Sequence, residues 1–101
     1  MAITGAQCRA GRALAELSRE MLAKLSKVDA AAIEHFERKL DMPDAKGIAA
    51  IAAALGEAGI VFIPENGGGV GVRLKFTASE ARRIATLENE GGTVGLDDVQ
   101  Q

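Results

Sequence analysis

The stretch from Leu17 to Glu37 constrains this chain more than any other. Two short helical patterns abut within it, across a break near Ser26-Lys27. The first opens on Ser18, a good cap residue, and sets Leu22 and Leu25 on one face. The second opens on Asp29 and sets Ile33 and Phe36 on one face. Val28 lies between them and is expected to point inward. The spacing predicts helices over about 18–25 and 29–38 joined by a tight turn, a helix-turn-helix whose second helix can enter a DNA major groove.

The flanking sequence supplies further helices. Thr4-Gly5-Ala6-Gln7 is a capping-box pattern, with Thr4 as cap and Gln7 reaching back, and predicts a helix to about Ala15. Cys8, Leu14 and Ala15 are its inward candidates, and Gly11, a poor helix former, marks a place where another helix can come close. Cys8 reads as a small buried hydrophobe rather than a reactive thiol. After the second pattern, Pro43 stops the helix and Asp44 can cap the next one, expected to run to about Ala58 before Gly59. Ile48, Ile51, Ala52 and Leu55 recur there at helical spacing.

From Ile60 the pattern changes period. Ile60 to Pro64 reads as a strand, Asn66-Gly67-Gly68-Gly69 as a turn, and Gly71 to Phe76 alternates, with Val72, Leu74 and Phe76 on one face and Arg73 and Lys75 on the other. The glycine run is a poor phosphate loop, because a strand follows it and no Lys-Ser/Thr does. A lone hairpin is marginal in water, so helices or a second subunit must cover it. Thr77-Ala78-Ser79-Glu80 is a second capping box and predicts a fifth helix to about Asn89, with Ile84 and Leu87 on its apolar side. Thr93 to Gln101 is acidic, short of large apolar groups and expected to be mobile.

Composition narrows the function classes. A chain of 101 residues makes one domain. Its core must rest on Leu, Ile and Val with three Phe, since Tyr and Trp are absent. A domain this small gains from dimerisation. The net charge of −2 is unusual for a nucleic-acid binder, but most Lys and Arg fall between Arg9 and Lys46, and local charge matters more than the sum. One Cys fits a reducing compartment and excludes an internal disulfide. No apolar run is long enough to span a bilayer, and the first residues do not read as a signal peptide, so a cytoplasmic location is expected. With one His and no Cys pair, no metal site or cofactor is expected, and no nucleophile–base pair points to an enzyme.

Arg12, Leu17-Ser18, Leu22-Ala23, Val28, Ile33, Glu37 and Pro43 together resemble the XRE family of lambda-repressor-like or Cro-like regulators, over about Thr4 to Leu55. The part from Ala58 through Glu65-Asn66-Gly67-Gly68-Gly69 to Leu74 is similar to a small alphaproteobacterial branch of that family. The resemblance implies a mainly α fold: a four-helix lambda-repressor-like helix-turn-helix domain over 1–59, then a β-hairpin and C-terminal helix over 60–90 as a dimerisation element, and an acidic tail over 91–101. It also implies that Arg12 pairs with Glu37, tying the first helix to the end of the recognition helix. The alternative is two separate surface charges.

The function so implied is a sequence-specific transcriptional regulator, a homodimer on double-stranded DNA at a near-palindromic operator. Asp29, Ala30, Ala31, Glu34 and His35 form the exposed face of the recognition helix. Ser18, Arg19, Lys27, Arg38, Lys39 and Lys46 surround it as phosphate contacts. Ile60, Phe62, Val72, Leu74, Phe76, Ile84 and Leu87 are the dimerisation candidates. The chain departs from the family where it has Arg19 for the usual Gln and Lys27 for the usual Gly. The face is also poor in base-reading donors: Ala can touch a thymine methyl, Glu34 repels phosphate, and His35 is either its one versatile donor or a plain exposed polar residue. A second expectation follows from that poverty: a helix-turn-helix module that binds a regulatory protein, as an antiactivator or co-regulator.

Overall fold

The computed structural model describes residues 2–75 of the chain. They form four helices and a two-stranded antiparallel sheet: α1 (Gly5–Ala15), α2 (Arg19–Ser26), α3 (Ala30–Glu37), α4 (Ala45–Glu57), β1 (Ile60–Ile63) and β2 (Gly71–Leu74). The fold is mainly helical. The expected fifth helix and the tail lie outside the described residues. Among the described residues, no helix is long and apolar enough to cross a membrane.

Local chemistry sets most helix starts. Thr4 Oγ1 accepts from Gln7 N and Gln7 Oε1 accepts from Thr4 N, both at 3.0 Å, closing the capping box of α1. Ser18 Oγ accepts from Met21 N at 3.0 Å and Asp44 Oδ1 from Gly47 N at 2.8 Å. Asp29 occupies the cap position of α3 but makes no capping hydrogen bond, which corrects its expected role. Its backbone still accepts from Ile33 N at 3.0 Å. The helix ends draw on left-handed residues: Glu16, Lys27 and Lys39 have φ of 58°, 64° and 62°. Lys27 therefore adopts the geometry that the missing glycine would have taken, at some conformational cost.

One cluster holds the molecule. Ile3, Cys8, Leu22, Ile33, Phe36, Ile48, Ile51, Ala54, Leu55 and Ile60 are buried together, and Leu17, Val28, Phe62 and Val72 pack against it. The stripe expected on α4 is present, with Ala54 in the core and Ala52 only partly buried. Two expected inward residues are not. Leu25 is 53% exposed, because α2 is rotated to bury Leu22 and Ser26, where Ser26 Oγ accepts from Val28 N and closes the turn. Leu14 is 41% exposed, at the edge of a buried α1 stripe made by Gln7, Cys8 and Gly11.

The hairpin is covered by helices of its own chain. β1 and β2 pair with Ile60 opposite Leu74 and Ile63 opposite Gly71, and α1 packs on both strands. Gln7, besides closing its capping box, donates from Nε2 to Ile63 O and Gly71 O at 3.2 and 3.0 Å, stapling the loop end of the hairpin to α1. The glycine loop is closed by its own side chains: Glu65 Oε2 accepts from Gly67 N and Gly69 N, and Asn66 Oδ1 from Gly68 N. Those amides are engaged, so the loop is no open anion cradle.

Among the dimerisation candidates, Ile60 is in the core at 4% exposure and presents nothing to a partner, which removes it from that set. Phe62 and Val72 are partly buried against the helices, and Leu74 is 39% exposed. Phe76, Ile84 and Leu87 lie outside the described residues.

Candidate nucleic-acid interface

The two central helices meet through a turn of three residues, Lys27 to Asp29, and α2 packs on α3. Ile33 and Phe36 anchor α3 in the core, so the opposite side of α3 is presented outward. Ala31 and His35 are exposed there, Ala30 and Glu34 are half-buried, and Asp29 stands exposed before the first turn. Every expected member of the recognition face is thus at or near the surface on one short helix.

The cations around that face differ in their freedom. Lys27, Lys39 and Lys46 are exposed, and among the described residues none of them makes an ion pair. Arg38 Nη1 donates to Glu34 Oε2 at 3.0 Å, one turn earlier on α3. An exposed pair of this kind contributes only about 0.3–0.5 kcal/mol, so Arg38 can leave it for a stronger acceptor. Arg19 is not a free surface cation: its Nε donates to Glu37 Oε1 at 3.1 Å. Ser18 keeps its hydroxyl lone pairs on the α2 amide of Met21.

Glu37 is the structural centre beneath this surface. Its side chain is fully buried at the end of α3. Arg12 reaches it from α1 with two bonds of 2.7 Å, Nε to Oε2 and Nη2 to Oε1, a planar two-point pairing. The third Arg12 nitrogen, Nη1, donates to Leu17 O at 3.0 Å. The pair expected from the resemblance is therefore formed, and the reading as two separate surface charges is excluded. Two further donors reach the same carboxylate. Cys8 Sγ donates to Oε2 at 3.1 Å, and Arg19 takes the remaining approach to Oε1. Their positions carried no signal, since Cys8 has no special neighbours in sequence and Arg19 lies 18 residues from its partner.

The electrostatics follow from that geometry. Burial pushes the Glu37 carboxyl up, but the hydrogen bonds from Arg12 and Cys8, the Arg12 charge and the Arg19 bond outweigh it and hold the group below its ordinary value. Arg12 is raised, chiefly by its hydrogen bond to Glu37. The Cys8 thiol is pushed far up, first by burial and then by its bond to the Glu37 carboxylate. A neutral, buried thiol is a poor nucleophile, so Cys8 serves packing and donation. Among the described residues, no group of His, Cys, Asp and Glu could hold a metal ion.

The chain matches no protein-family model, and no curated protein is similar enough to count as a relative.

Proposed function

We propose that this protein is a lambda-repressor-like DNA-binding transcriptional regulator of the XRE type, working as a homodimer. The observation that carries the reading is the α2–turn–α3 unit: α3 is pinned at its far end by Arg12 and Glu37 and turns the side opposite Ile33 and Phe36 to solvent. A helix held in this way can lie in a major groove, and the exposed Lys27, Lys39 and Lys46 would supply phosphate contacts beside it. Two such helices about 34–36 Å apart would read successive grooves of a near-palindromic site. With only Ala30, Ala31, Glu34, Asp29 and His35 facing the bases, affinity comes mostly from phosphates and sequence preference partly from DNA shape.

The test is selection from a randomised duplex pool, followed by a salt titration on a selected and a scrambled site. Retention of a duplex family at low salt, with affinity falling steeply as salt rises, is the expected result. Glu34→Gln is expected to raise affinity for both sites, because it removes a negative charge and releases Arg38 from its pair. The gain should be about threefold to tenfold, the scale of one freed phosphate contact. An unchanged affinity on both sites would separate Arg38 from the DNA footprint.

Dimerisation is a separate expectation. Leu74 and Val70 remain exposed on the hairpin at 39% and 46%. Sedimentation at micromolar concentration should give a dimer, and the double substitution Val70→Ser, Leu74→Ser, which leaves the core untouched, should give a monomer. A monomeric full chain would remove the two-helix reading of a palindrome.

One observation favours a second reading. Glu34 neutralises Arg38 on α3, and the whole chain carries a charge of −2. A neutral, alanine-lined helix suits a protein groove as well as a DNA groove. Failure to retain any duplex from the pool, with capture of a regulatory protein partner in its place, would make that reading the better one.

A further inference from the structure

The Glu37 carboxylate has more positive charge around it than the fold requires. Arg12 alone neutralises it, through two bonds of 2.7 Å, and is nearly enclosed, with all three of its nitrogens engaged on Glu37 and Leu17 O. Arg19 then adds a second guanidinium to the same carboxylate, so two arginines and one glutamate leave one net positive charge. That excess lies on Arg19, whose side chain is one-third exposed. Its Nε alone is engaged, at 3.1 Å from Glu37 Oε1, and among the described residues its two terminal nitrogens make no hydrogen bond.

We propose that Glu37 is a positioning residue for Arg19, holding its Nε so that the two free terminal nitrogens stand ready as a fork for one phosphodiester group of a bound duplex. This rests on the DNA-binding reading above and goes further: it gives the buried ion pair a part in binding as well as in folding, and it separates Arg19 from the untethered lysines. A guanidinium presents parallel N–H groups that match two oxygens of a phosphate. Fixing one nitrogen in advance removes most of the rotamer freedom that a long side chain otherwise loses on binding. Lysine at the same place keeps the charge but has no Nε to anchor and no planar fork.

The chemistry of a phosphodiester is shared with free phosphate ion, and the two are distinguished by using both as probes. Arg19→Gln, Arg19→Lys and Lys27→Gln are compared with the unaltered full chain in a salt titration on the selected duplex, with urea unfolding measured on each. Inorganic phosphate is titrated separately while the arginine Nε–Hε resonances are followed.

Arg19→Gln is expected to weaken binding about tenfold and to flatten the salt dependence by about one unit, as the loss of one phosphate contact should. Arg19→Lys should keep the slope and still lose roughly threefold to tenfold in affinity, because charge without the anchored fork is less well placed. Inorganic phosphate should move the Arg19 resonance at millimolar concentration or above and leave that of Arg12 in place. A purely structural Arg19 would shift the urea midpoint while leaving the salt slope untouched, and that outcome overturns the proposal. So does an Arg19→Lys protein that binds as tightly as the unaltered chain, since tethering would then contribute nothing. Loss of slope in Lys27→Gln with none in Arg19→Gln would overturn this proposal and leave the DNA-binding reading standing, whereas no duplex retained by the unaltered chain would overturn both.

Discussion

Arg12→Ala and Glu37→Ala are each expected to lower the unfolding free energy by about 3–5 kcal/mol, the scale for breaking a buried ion pair by removing one partner. Arg12→Ala leaves a fully buried carboxylate with one long bond to Arg19 and one to a thiol. Glu37→Ala leaves two guanidinium groups without their acceptor and a gap between α1 and α3. Arg19→Ala should be much milder, below about 1 kcal/mol, because its side chain is one-third exposed and the two-point Arg12 pairing survives. Urea midpoints of the three variants at neutral pH test this order. Equal losses for Arg12→Ala and Arg19→Ala would mean that the two-point pairing is not the dominant tie.

The same site makes a prediction in pH. Glu37 sits below its ordinary value of 4.5 in the folded protein. The unfolded chain therefore binds the proton more readily, and stability rises with pH across the interval between the two values. The contribution is complete above about pH 4.5 and is lost as the pH falls through the folded-state value. Glu37→Gln cannot make this contribution at any pH. The stability difference between it and the unaltered chain should be largest above that pH and should narrow in acid. Parallel curves down to pH 2.5 would mean that the carboxylate charge is not what holds α1 to α3.

The second large effect comes from two glycines of α1 and has opposite signs. Gly5 is the first residue of the helix, and a Cβ there would overlap the carbonyl of Phe36, at the end of α3. Neither backbone can yield without separating the helices that Arg12 and Glu37 tie together. Gly5→Ala is therefore expected to lower stability by about 1–3 kcal/mol or somewhat more, the range for overpacking a filled core. At Gly11, where the sequence also marks a close approach, a Cβ would meet Ile60 Cγ2 at 3.4 Å and Leu55 Cδ1 at 3.5 Å, ordinary contact distances. Helix propensity then decides, and Gly11→Ala should be neutral or more stable by up to about 1 kcal/mol. Thermal unfolding of the two single variants checks both signs, and a harmless Gly5→Ala would show that α1 stands further from α3.

The sequence by itself determined what depends on a few consecutive residues. The caps at Thr4, Ser18 and Asp44 are bonds across three residues, and the residue types that make them are few. Helical spacing was enough to place Ile33, Phe36, Ile48, Ile51 and Leu55 in the core, because each belongs to a stripe with no competing face. Alternation and the glycine run gave the hairpin its turn. Spacing did not settle the rotation of α2, where Leu25 and Ser26 compete for the inside and a hydroxyl bond to Val28 N favours Ser26. The tertiary structure alone decided the site beneath α3. Cys8 and Arg19 reach Glu37 across 29 and 18 residues, and Gln7 reaches Gly71 across 64. Such bonds exist only because the packed helices bring the groups to hydrogen-bonding distance, and no local preference of the chain encodes that distance. Glu37 was legible as one half of a pair. That it is shared by two arginines, one enclosed and one whose terminal nitrogens make no hydrogen bond among the described residues, is a property of the packing.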